Sequence, residues 1–222
     1  DWYVGGWNYT YDPKSPNMST TVFALEALRK AGVDEDHEVY ERALKFTQRC
    51  QNRSESNDVS ASLGIVLSND GGFFYKPQDT RGEVVEHEDG KKTLKSYGSM
   101  TYAGLLSYAY CWVSKEDPRV QDTIEWIQKN YTFEENPGSL KYRQGHYYYL
   151  MTCAKAISAF GMSTLPDGKP VAKDLKAKIL ELQNDDGTWV NDDAERWWEG
   201  NPMLCTAYML IALGEIEPLI SE

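Results

Sequence analysis

Hydrophobic and polar positions along this 222-residue chain form two kinds of helical pattern, and the two kinds alternate. Over 36–50, Val39, Ala43, Leu44 and Thr47 make one apolar stripe, while Glu38, Glu41, Arg42, Lys45 and Arg49 cover the remainder. That spacing predicts an amphipathic helix with one wet face. Segment 118–131 repeats it with Val120, Ile124, Ile127 and Tyr131, and Pro118 suits a first helical turn. Segment 172–183 sets Leu175, Ile179, Leu180 and Leu182 opposite Lys173, Lys176 and Glu181.

The segments between them, 19–28, 99–113, 147–160 and 203–213, are small or apolar nearly all round. A helix without a wet face has to be covered on both sides. Alternation of the two kinds therefore predicts an all-α fold in two layers, an α/α toroid or solenoid with four inner and three outer helices.

Short turn motifs mark the junctions. Gly5-Gly6-Trp7 precedes Ser19-Thr20-Thr21, Gly71-Gly72-Phe73 precedes Ser99-Met100-Thr101, and Gly187-Thr188-Trp189 precedes the helix containing Thr206. A third unit near 137–142 is degenerate. Gln51-Asn52 and Gln183-Asn184 end two of the outer helices, the first separated from its glycines by an insertion over 53–70. Gln183 is expected to bond backbone groups freed at the helix end, Gly187 to take a positive φ, and Trp189 to pack over the junction. One domain of about four repeats follows, over 5–52, 70–131, 136–184 and 185–220. Within it, Val84-Val85, an Asp89-Gly90 turn and Thr93-Leu94 predict a β-hairpin inserted over 82–96, its charge marking an exposed flap. The chain opens in the middle of a repeat, which reads as the C-terminal portion of a toroid. Its uncovered inner faces would then be closed by N-terminal repeats or by a homo-oligomeric partner.

Composition narrows the classes. A net charge of −11 with no basic stripe argues against nucleic acid, and 7 Trp with 15 Tyr point to a thick core or an aromatic-lined cavity. The apolar run 203–213, broken by Thr206, is too short to span a bilayer, so a soluble protein is expected, cytoplasmic or exported. Cys50, Cys111, Cys153 and Cys205 are far apart without a C-x-x-C pair, which suits thiols packed as small hydrophobes.

The pattern Gln-x-x-x-Gly-x-Trp after an amphipathic helix, followed by Ala-Leu-x-Ala-Leu as at 24–28, resembles the QW repeat of squalene and oxidosqualene cyclases. The α/α toroid of protein prenyltransferase β subunits carries a related repeat. Over almost its whole length, through "VGGW", "DGGF…SYGSMTYAGL" and "ERWWEGNP…TAYMLIAL", the chain is similar to bacterial prenyltransferase/squalene oxidase repeat proteins. The resemblance implies a terpenoid-cyclase-like fold and an apolar or isoprenoid ligand. The chemistry of those relatives is not carried over. D-x-D-D and D-D-x-x-D are absent, and Asp185-Asp186 and Asp192-Asp193 sit in turns. No cysteine follows an Asp by two positions, and Tyr149 stands where a zinc-binding histidine would fall, so no metal or cofactor is expected.

Candidate site residues remain. Arg143, His146 and Tyr147 offer an anion or sugar site, or the base and acid of an elimination, against a plain capping role for His146. Asp58 is a candidate acid. Tyr97, Tyr102, Trp197 and Trp198 offer rings to stack on a sugar or shield a cation. Three functions fit: a metal-independent enzyme acting on an isoprenoid or apolar ligand, a non-catalytic module binding a peptide, lipid or glycan at an aromatic end, or a polysaccharide-active barrel. A dry apolar cavity would favour the first, an open aromatic groove the second, and a polar Arg/His/Tyr cleft the third.

Overall fold

A computed structural model describes residues 1–10, 12 and 15–221. Among them are seven α-helices and one two-stranded hairpin: α1 (Met18–Lys30), α2 (Glu38–Arg49), β1 (Val84–Glu86), β2 (Lys92–Leu94), α3 (Gly98–Tyr110), α4 (Pro118–Lys129), α5 (His146–Ala159), α6 (Val171–Glu181) and α7 (Pro202–Ile220). Local chemistry sets the starts. The Asn17 side chain accepts from the Thr20 N–H at 3.1 Å, Asp117 caps ahead of Pro118, and Asn201 caps ahead of Pro202.

The helices α1, α3, α5 and α7 pack one against the next in series. Helix α2 lies on α1 and α3, α4 on α3, and α6 on α5 and α7. Eleven of the thirteen residues of α3 are buried, as the lack of a wet face requires. Helix α2 buries Tyr40, Ala43, Phe46 and Thr47, so its inward face turns on two rings, with Val39 and Leu44 at its edge rather than its centre. The N-terminal ends of the four inner helices gather at one mouth of the molecule and their C-terminal ends at the other. At the second mouth, Lys155 of α5 forms a largely buried ion pair with Glu26 of α1.

One hydrogen bond recurs at three of the turn motifs. In three units the aromatic residue of the turn motif donates its backbone N–H to a threonine hydroxyl in the following inner helix. The pairs are Trp7 to Thr21 at 3.0 Å, Phe73 to Thr101 at 3.1 Å and Trp189 to Thr206 at 3.1 Å. Its carbonyl accepts from the inner helix's N-cap, Asn17 to Trp7 at 3.0 Å and Tyr97 to Phe73 at 3.1 Å. The first glycine of the motif has φ +93° at Gly5 and +79° at Gly71. A β-carbon there would lie 1.9 Å from the Arg42 carbonyl oxygen or 2.3 Å from that of Asp122, so both turns press on the next outer helix. Trp189 is buried and its indole N–H donates to the Ile179 carbonyl at 2.7 Å. Gln183 bonds the Gly187 carbonyl across the turn, not the freed groups of α6.

The hairpin lies within 82–96, with Val84 paired to Leu94. It is not a free flap. Leu94 is buried, and the edge of β2 is tied to the 53–70 insertion by Val66 N–H to Lys92 O at 2.8 Å and Lys92 N–H to Gly64 O at 3.0 Å. Helix α7 runs for 19 residues, beyond the expected 203–213, and among the described residues it alone is long and apolar enough by length and composition to cross a membrane. It buries only Cys205, Met209, Ala212 and Ile216, against α5 and α6, and leaves Met203, Leu210 and Ile211 exposed, so it is covered on one side where its composition predicts cover on both. The four cysteines are free thiols, and Cys50, Cys153 and Cys205 are fully buried.

Candidate ligand pocket

The mouth formed by the inner-helix N-termini holds a half-open cavity of about 800 Å³. Phe23 of α1, Tyr97 and Met100 at the start of α3, Tyr148 of α5, and Leu204 and Tyr208 of α7 form its walls. Tyr9, Trp197, Trp198, Arg81 and Arg196 form the rim. The rings are organised around Tyr148, which meets Tyr208 nearly edge-on at 6.2 Å and Phe23 at 6.3 Å. The Tyr148 hydroxyl is buried without a hydrogen-bond partner, and burial pushes its pKa far above the usual phenol value. It is a protonated hydroxyl closed off from the cavity, while the ring it belongs to lines the wall.

Trp197 and Trp198 sit consecutively in the left-handed region, with φ +61° and +68°. Two bulky residues adopt that conformation only where their surroundings impose it. The Asn201 N–H donates to the Trp198 carbonyl at 2.9 Å, and the Arg196 guanidinium lies over the Trp197 ring at 4.8 Å. Gly145 leaves room for the same ring, since a β-carbon there would come within 3.0 Å of it. Trp198 stays 79% exposed, an unusual position for so large an apolar surface.

Glu199, next in the chain, is 1% exposed. Its Oε1 accepts from the Tyr148 N–H at 2.8 Å and its Oε2 from the Asn191 amide at 2.7 Å. Its carbonyl accepts from the Asn191 N–H at 2.9 Å and from Cys205 Sγ at 3.0 Å. Burial raises the carboxyl to about 7, against the opposing pull of the α5 N–H groups and Asn191.

The trio Arg143, His146 and Tyr147 does not form a cleft. His146 is buried at the start of α5, with Nε2 2.8 Å from the Phe133 carbonyl, and burial lowers its pKa to about 4. A neutral imidazole donates from Nε2 there, which leaves Nδ1 as a buried acceptor with no partner. The Tyr147 hydroxyl donates to the Val190 carbonyl at 2.9 Å, and Arg143 pairs with Asp193 at 2.8 Å. None of the three lines the cavity. Asp58 lies against outer helix α2, where Arg49 grips both its oxygens at 2.7 and 3.0 Å and holds its carboxyl below the usual range. Tyr102 is buried against Tyr149, off the pocket. Of the four aromatic candidates, Tyr97, Trp197 and Trp198 meet at the pocket.

Sequence reasoning missed Phe23, Tyr148, Tyr208 and Glu199. The three rings read as inner-helix packing, and Glu199 looks like any loop carboxylate because its partners lie 8 and 51 positions away. Among the described residues no three His, Cys, Asp or Glu side chains are grouped to hold a metal ion. No family model, curated protein or solved structure matches the chain.

Proposed function

We propose that the chain follows the α/α-toroid repeat plan of squalene cyclases and prenyltransferase β subunits, and that its aromatic mouth binds a short glycan without chemistry. The observation that carries this reading is the pair Trp197–Trp198, held in left-handed backbone at the rim with Trp198 79% exposed. A sugar ring has an apolar C–H face for such a ring and a polar edge for the guanidinium groups of Arg81 and Arg196. The toroid plan is supported by the serial packing of the inner helices and by the recurring aromatic–threonine bond.

A catalytic reading has less support. Arg143, His146 and Tyr147 are turned to structural partners. Glu199, with a pKa near 7 and both oxygens bonded, is too weak an acid to protonate an alkene. An isoprenoid or other apolar chain is the second reading, favoured by the side chains of Phe23, Met100 and Leu204 on the walls.

Titration of tryptophan fluorescence with neutral oligosaccharides and, separately, with farnesol tests both. Saturable quenching by an oligosaccharide, lost in Trp198→Ala, is the expected result. A response to farnesol alone favours the second reading, and no response to either removes the pocket as a binding site.

A further inference from the structure

Three of the four inner helices, α1, α3 and α5, have a first-turn N–H bonded by the loop of the following unit, whereas α7 is capped by its own Asn201. The Met18 N–H of α1 donates to the Tyr75 carbonyl at 2.9 Å. In α3 the Gly98 N–H donates to the Pro137 carbonyl at 2.7 Å and the Ser99 N–H to Asn136 Oδ1 at 2.8 Å. Helix α5 starts at Gly145, which has no side chain to cap it, and there the capping group is the Glu199 carboxyl on the Tyr148 N–H. The cap therefore reaches α5 from the residue that directly follows Trp198. We infer that Glu199 is the positioning residue for the tryptophan rim: by capping α5 from the neighbouring loop, it fixes Trp197 and Trp198 in the conformation that completes the pocket.

Three features converge on this role. The carboxyl is buried and bonded on both oxygens, so it cannot swing without breaking two hydrogen bonds. Its backbone is clamped by Asn191 and Cys205, which leaves the left-handed tryptophans strung between fixed points at Glu199 and at the Arg196–Trp197 stack. Tyr148, whose N–H it holds, places its own ring in the pocket wall, so one carboxyl orders both the rim and the floor beneath it. In the first turn of α3 the neutral amide of Asn136 fills a comparable role on the Ser99 N–H, so a neutral acceptor is able to hold a helix start of this array.

The inference rests on the aromatic-pocket reading, and its test separates the two. The probe is 1-anilinonaphthalene-8-sulfonate, titrated into the wild type, Glu199→Ala, Glu199→Gln, the double variant Trp197→Ala/Trp198→Ala, and the triple variant adding Glu199→Ala. Glu199→Ala is expected to weaken binding about tenfold, the scale of a lost helix cap, and Glu199→Gln to restore it to within about twofold of wild type. In the double-tryptophan background the Glu199→Ala effect should shrink to the part carried by Tyr148, because the rest acts through those rings. An undiminished effect there overturns the inference, as does a failure of Glu199→Gln to restore binding. If the wild type does not bind the probe, the pocket reading suffers, and near-ultraviolet circular dichroism still decides the positioning role. The spectral change in Glu199→Gln should then be small and that in Glu199→Ala should match the double-tryptophan variant, while an unaltered Glu199→Ala spectrum contradicts it.

Discussion

The side-chain amide of Gln51 donates to the Gly71 carbonyl at 3.0 Å, and the amide of Gln183 makes the same bond, also 3.0 Å, to Gly187. The surroundings differ. Gln51 is fully buried, also donates to the Arg119 carbonyl at 2.9 Å and to Thr123 Oγ1 at 3.0 Å, and accepts from the Tyr108 hydroxyl at 2.6 Å. It links two successive repeats through the start of α4. Gln183 is exposed, and no described helix lies where α4 would be. Replacing Gln51 by Ala strands several buried polar groups and should cost about 3–5 kcal/mol. Gln183→Ala should cost under about 1 kcal/mol. Urea unfolding of the two variants checks the contrast, and equal losses would refute it.

Gly71 and Gly187 give a second contrast at the same two places. Both have positive φ, +79° and +84°, but a β-carbon at Gly71 would meet the Asp122 backbone at 2.3 Å, whereas at Gly187 the nearest atom is the Gln183 amide at 3.9 Å. Gly187→Ala should lose about 1 kcal/mol for its backbone conformation alone. Gly71→Ala adds a backbone collision, so its melting temperature should fall several-fold further.

The helices, their caps and the hairpin were legible because they follow from local rules. The alternation of wet and dry helices, the Asn and Asp caps and the Asp89-Gly90 turn each lie within a few residues of what they determine. The pocket was only half legible. Trp197 and Trp198 stand out as a pair, but the sequence does not tell that Tyr148 turns to the cavity while Tyr147 and Tyr149 turn to packing. Adjacent positions on a helix differ by about 100°, and the side that counts is set by α1 and α7, far away in the chain. The same distance hid the Arg49 partner of Asp58 and the Asn191 partner of Glu199.

Two buried groups near the start of α5 titrate in opposite senses. Burial raises Glu199 from 4.5 to about 7 and lowers His146 from 6.5 to about 4. Stability associated with Glu199 is fully present below pH 4.5 and is lost as the pH rises through 7. Stability associated with neutral His146 is fully present above pH 6.5 and is lost as the pH falls through 4. Each corresponds to about 3 kcal/mol, so in the wild type the two trends offset one another between pH 4.5 and 6.5. The stability of Glu199→Gln relative to wild type should rise by about 3 kcal/mol from pH 4.5 to 7, on top of a pH-independent cost for its amide NH2 meeting the Asn191 amide donor. Denaturant titrations across that range measure the difference, and a pH-independent difference would show that Glu199 does not titrate there.

Leu210 lies four residues after Thr206, as Leu105 lies four after Thr101, yet Leu210 is 59% exposed and Leu105 is fully buried. The exposed side of α7 therefore presents the register that α3 covers with its neighbour. Of the two coverings the sequence suggests, further repeats or a homo-oligomeric partner, the second is open to a direct test. Light scattering should show association that rises with concentration and is abolished by Leu210→Glu. A single monomeric mass at every concentration would contradict that arrangement.

The central claim is that Trp197 and Trp198 form a binding rim. It is tested most directly by fluorine NMR on chain labelled with 5-fluorotryptophan, titrated with short neutral oligosaccharides. The chain's 7 tryptophans give separable probes, assigned by single Trp→Phe substitutions. The account predicts saturable shifts confined to Trp197 and Trp198, with buried Trp126 and Trp189 and half-exposed Trp2 and Trp112 unmoved. No shift at the rim pair, or equal shifts at Trp2 and Trp112, would contradict it.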